Sequence, residues 1–154
     1  MIMTAIMLIV AGSFVSCEDK ELSICECGRV YINETEFVAM CIVPREVTAN
    51  STHVVRMENR TGHTISWKAP IWVSFYGENG WETVFPRLGT NILWTNDVTS
   101  LRPGGTKEQP GNFYAATEAW NEGKKGLYRM GRNVILSSDG HDTIITLYAE
   151  FEIR

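Results

Sequence analysis

Beyond residue 35 the chain is a succession of short apolar-polar runs broken by Gly, Pro, Asn and Asp. Residues 37–43, 53–58, 64–67, 71–76, 81–85, 92–94, 127–132 and 143–153 are rich in β-branched and aromatic side chains, and their spacing predicts a sandwich or barrel. Within the runs the period is two. Val54, Arg56 and Glu58 fall on one side and Val55, Met57 and Asn59 on the other, and residues 143–148 alternate in the same way. Gly77-Glu78-Asn79-Gly80 predicts a tight hairpin, because Asn-Gly tolerates the positive φ such turns need. Pro103-Gly104-Gly105 breaks the chain, and Ser138-Asp139-Gly140 separates the last two strands. Residues 106–125 are mixed, and 114–122 read as a helical turn or as an exposed loop. An isolated short strand is expected around 29–32.

The first sixteen residues, MIMTAIMLIVAGSFVS, follow a different pattern: an uncharged apolar run ends in small residues before Cys17-Glu18-Asp19-Lys20-Glu21. This is the hydrophobic region and cleavage site expected of a secretory signal, although no Lys or Arg precedes it. A helix crossing a bilayer needs about 20 apolar residues, more than this run offers. The domain boundaries expected are therefore a signal over 1–16, a tether over 17–35 and a single β domain over 36–154.

Composition narrows the function classes. Net charge is −4 and the chain has no run of Lys and Arg beyond Lys124-Lys125, so the cationic footprint for phosphate backbones is missing and nucleic acid is not expected as a partner. In an exported chain Cys25, Cys27 and Cys41 would meet oxidising conditions, which favours a disulfide from Cys41 to Cys25 or Cys27, with Cys27–Cys41 as the candidate pair. Reduced thiols and a metal site of Cys25, Cys27, Cys41 and His53 are the alternatives. Cys-x-Cys with one further Cys is not the spacing of a structural zinc site, so no metal and no cofactor is expected. His63 and His141 sit in glycine-containing turns, outside any His-Glu-x-x-His arrangement.

Phe14-Val15-Ser16-Cys17 resembles the lipobox of bacterial lipoproteins, which implies a diacylglyceryl group on the Cys17 sulfur; Phe14 departs from the usual aliphatic residue, and cleavage after Ser13 stays open. The acidic residues that follow resemble the surface-export signals of Bacteroidetes lipoproteins, implying a place at the outer membrane or cell surface. Further on, Val54-Val55-Arg56-Met57-Glu58-Asn59-Arg60-Thr61-Gly62, Asn79-Gly80-Trp81-Glu82-Thr83-Val84, Leu101-Arg102-Pro103-Gly104-Gly105, Gly126-Leu127-Tyr128-Arg129-Met130 and Ala149-Glu150-Phe151-Glu152-Ile153 together resemble a bacterial immunoglobulin-like domain of exported proteins. The resemblance spans roughly residues 53–154 and implies an immunoglobulin-like antiparallel β-sandwich, with no activity attached. Trp81 is then expected in the core over a hairpin end, and Tyr128 is placed like a tyrosine corner.

No nucleophile elbow, phosphate loop or zinc helix is present. The expected function is therefore a non-enzymatic envelope lipoprotein, held to the membrane by its lipid, whose domain binds an unidentified protein or glycan. Carbohydrate binding through Trp67, Trp72, Trp94 and Trp120 is the alternative, because aromatic faces stack on sugar rings and these four lie near expected loops. Protease inhibition through the loops at 59–63 and 102–105 is a third reading.

Overall fold

The computed structural model describes residues 28–87 and 91–154. Eleven strands and one helix are formed among them: β1 (Arg29–Tyr31), β2 (Phe37–Val43), β3 (Glu46–Val47), β4 (His53–Arg60), β5 (Ile65–Lys68), β6 (Trp72–Gly77), β7 (Gly80–Phe85), β8 (Val98–Leu101), β9 (Thr106–Gly111), α1 (Phe113–Asn121), β10 (Gly126–Ser138) and β11 (His141–Ile153). The signal, the tether residues before 28, and Cys17, Cys25 and Cys27 lie outside the described residues.

The fold is a β-sandwich of mostly antiparallel strands, one of the two architectures the strand spacing predicts. One sheet runs β1-β2-β4-β9 and the other β3-β11-β10-β5-β8, with β6 added on β10 and β7 on β6. β10 and β11 pair over their full lengths, from Gly126 opposite Ile153 to Ser138 opposite His141. Their turn places Asp139 and Gly140 at φ 48° and 79°, the left-handed pair that a two-residue hairpin requires. The chain changes sheets early: β2 pairs with β4, and after Pro44 the short β3 runs parallel to β11. Pairing begins ahead of residue 36, since Arg29 already faces Ala39 across the first ladder.

Period-two burial fills the space between the sheets. Val38, Met40 and Ile42 of β2 and Val55 and Met57 of β4 meet Tyr128, Met130, Val134 and Leu136 of β10 and Leu147, Ala149 and Phe151 of β11 in one core. Tyr128 is fully buried; its hydroxyl donates to the Lys124 carbonyl and accepts from Asn121 Nδ2 at 3.2 Å, the back-bonding expected of a tyrosine corner.

The structure adds strands that were not expected, β3 and β8 among them, and settles the open stretch at 114–122. Residues 91–97 form no strand, where one was expected at 92–94, because the polar Thr95-Asn96-Asp97 follows directly. β9 was not expected at all: its Thr-Lys-Glu-Gln-Pro-Gly sequence lacks an apolar residue, and it survives as a sheet edge, where charge and Pro are tolerated. Residues 113–121 are a true helix. Asn112 Oδ1 caps it by accepting from Ala115 N at 3.2 Å, and Glu122 in the left-handed conformation closes it.

Candidate functional site

The strand pair β5 and β6 together flank β10, but not in one register. Ser66 faces Ile135 and Val73 faces Met130, so the chain between them bulges away around Ala69-Pro70-Ile71, beside Arg132. Across the sandwich lies β9, the sheet edge, followed by α1. Between these parts opens a cleft of about 500 Å³, with Ile71, Met130 and Val55 inside, Phe113 and Trp120 of α1 on one wall, and Gln109 and Asn112 at the rim. Gly111 makes the α1 wall possible: a Cβ there would stand 2.7 Å from the Phe113 ring. The ring itself is held edge-on by His53 at 6.3 Å and tilted against Phe151 at 5.3 Å.

Arg132 reaches this cleft from the core face of β10, at a position flanked by the inward-facing Met130 and Val134. Its residue surface is 8% exposed, and neither Nε nor Nη1 has a hydrogen-bond partner. The guanidinium carbon lies 5.9 Å from the Trp67 ring centroid, at the outer limit of a cation–π contact. Burial depresses the Arg132 pKa from its ordinary value, since the charged form loses water without gaining an acceptor. Buried charges are normally paired, and a guanidinium carries five donors, so two nitrogens without a hydrogen bond leave this group incompletely satisfied among the described residues. Among the described residues, no carboxylate, imidazole or thiol lines the cleft.

The outer face of the same sheet carries a second cluster. The Arg129 guanidinium lies 4.4 Å from the Trp81 ring centroid and 4.5 Å from that of Tyr148. Tyr76 extends the row on one side at 5.2 Å from Trp81, and Trp72 on the other at 6.0 Å from Tyr148. Trp81 therefore belongs to an outer ladder and not to the core, contrary to expectation, because its pairing with Tyr76 sets it on the solvent side. The ring faces turned toward Arg129 are already occupied, which removes them as sugar platforms.

The four candidate tryptophans do not share one face. Trp67 is 3% exposed and is a core residue. Trp72 lies over Gly131 on the outer face, where a Cβ on Gly131 would stand 2.1 Å from its Cε2. Trp94 and Trp120 both pack on Phe85, at 6.1 and 5.7 Å, and of the four only Trp120 reaches the cleft. His53, a candidate ligand for metal, is buried, with Nδ1 at 2.9 Å from the Pro44 carbonyl and Nε2 on Ser51 Oγ. Among the described residues no group of His, Cys, Asp and Glu could hold a metal ion. Cys41 is disulfide-bonded, and its partner cysteine lies outside the described residues.

The loops at 59–63 and 102–105 are tied to each other: Gly104 N donates to the Asn59 carbonyl at 2.8 Å and Arg60 Nη1 to the Gly104 carbonyl at 2.8 Å. Arg132, which none of the sequence motifs contains, was missed; its signal was parity, an Arg in step with Tyr128, Met130, Val134 and Leu136.

No family model matches the chain, and no curated protein does. Among solved structures, the chain is similar to a PapD-like domain of human CEP192 at 13% identity and TM-score 0.34, covering 91% of this chain and 95% of that one. It is similar to a Pseudomonas fluorescens alkylpurine DNA glycosylase at 11% identity and TM-score 0.35, covering 76% of this chain and 30% of that one. A Listeria innocua β-glucosidase matches at 12% identity and TM-score 0.30, over 77% of this chain and 16% of that one.

Proposed function

We propose that this chain is a non-enzymatic binding module of the bacterial cell envelope, carried by a lipid on Cys17, with its ligand site in the cleft between β9, β10 and α1. The observation that carries the binding reading is Arg132, a guanidinium buried in that cleft without a hydrogen bond to Nε or Nη1. The walls offer apolar surface, two carboxamides and one cation, which are groups that hold a ligand. They offer no general base or nucleophile with which to transform it. The test is a fragment screen by ¹H–¹⁵N NMR: hits should shift the amides of 109–116 and 130–132. Hits confined to other surfaces, or chemical turnover of a peptide or glycan, would overturn the reading.

The lipid anchor rests on the Phe14-Val15-Ser16-Cys17 sequence. For the disulfide of Cys41 we propose Cys27 as the partner. The β1–β2 ladder pairs Arg29 with Ala39, and Met40 N donates to the Gly28 carbonyl at 3.2 Å; this brings the chain just after Cys27 beside the residue before Cys41, which supports the nearer cysteine. Peptide mapping of the unreduced protein should recover a Cys27–Cys41 linked pair; recovery of Cys25–Cys41 instead would refute the pairing.

A further inference from the structure

The chemistry of the cleft specifies its occupant. Among the described lining residues only Arg132 carries a formal charge, and its Nε and Nη1 make no hydrogen bond. A ligand bearing one negative charge makes the buried site neutral. A phosphate monoester dianion would leave a net charge of −1 between apolar walls, where an uncompensated ion is strongly disfavoured. A neutral ligand would leave the guanidinium as it stands. A planar carboxylate matches the planar donor set of a guanidinium, which favours two parallel N–H···O bonds.

The rest of the cleft describes the remainder of the ligand. Phe113 and Trp120 of α1, with Ile71, Val55 and Met130, present apolar surface, and a volume of about 500 Å³ is that of a small-molecule site. At the rim, Asn112 uses its Oδ1 in capping α1, which leaves its side-chain NH₂ free to donate. We propose, on the strength of the binding reading above, that the cleft takes a small organic monocarboxylate, its carboxylate on the Arg132 guanidinium and its aromatic or short alkyl body against Phe113 and Trp120.

The experiment titrates the folded protein with sodium benzoate, sodium hexanoate, benzamide and inorganic phosphate, following affinity by calorimetry and location by NMR. Benzoate should bind saturably, shift amides around Gln109, Phe113 and Arg132, and outbind benzamide and phosphate by at least tenfold. Arg132→Met and Arg132→Gln should each weaken benzoate at least tenfold while leaving benzamide unchanged. Benzamide binding in the cleft as tightly as benzoate, phosphate binding more tightly, or Arg132→Met keeping full benzoate affinity would overturn the carboxylate assignment while leaving the cleft as a binding site. If none of the four perturbs the cleft, the carboxylate assignment falls, and the fragment screen decides separately whether the cleft binds at all. The benzoate and benzamide comparison on the unaltered protein stands even if a variant fails to fold.

Discussion

Asn59 uses its whole side chain inside the domain. Nδ2 donates to the His63 and Leu101 carbonyls at 2.8 and 2.9 Å, and Oδ1 accepts from Thr61 N at 3.1 Å and Thr61 Oγ1 at 2.7 Å. The end of the 54–62 stretch, Glu58-Asn59-Arg60-Thr61-Gly62, is thus a buried clasp between β4, the loop after it and β8. An Asn59→Ala change strands several of these partners and should cost about 2–3 kcal/mol in denaturant unfolding; a loss under half of that would mean water replaces the amide. Residue roles of this kind were partly legible. Tyr128 and the turn at Asp139-Gly140 announce themselves through local chemistry. Arg132 does not, because a long polar side chain at an inward position looks the same in sequence whether it escapes to solvent or stays buried.

Strands with one buried face were readable as elements, because alternation records burial directly. β4, β10 and β11 have that signature, while β2 is a continuous apolar run buried on both faces. β9 and α1, which build the cleft, lack it. β9 is an edge with little to bury, and α1 is short, with only Phe113 and Thr117 buried, so neither leaves a periodic trace. The interruption between β5 and β6 was equally invisible, since only pairing with β10 reveals that the two are successive partners of one strand. On the outer face of that strand, Gly131 serves Trp72, whose ring occupies the place of a Cβ. Gly131→Ala should therefore push Trp72 outward, cost about 1–3 kcal/mol as an overpacked contact does, and shift Trp fluorescence toward that of a solvated indole. Unchanged emission would show that Trp72 does not rest on Gly131.

At the scale of the whole molecule, the sandwich holds a buried guanidinium whose Nε and Nη1 make no hydrogen bond, and the proposed lipid anchor is tested separately. Cys17→Ser should move the protein from the membrane fraction to the soluble fraction; continued membrane association would refute the lipid anchor. A buried charge held at a cost in stability is the physical content of the binding account. Replacing a buried ion by an apolar side chain of similar size is often neutral or stabilising by about 1–4 kcal/mol, whereas removing a residue that completes a network is destabilising. The most direct measurement is the urea midpoint of Arg132→Met against the unaltered protein, both free of ligand. A midpoint raised at equal slope is predicted, since Nε and Nη1 of the buried guanidinium make no hydrogen bond among the described residues. A midpoint lowered by more than about 1 kcal/mol equivalent would show that Arg132 is held in place for the fold, through Trp67 and its neighbours, and would contradict its role as a ligand site.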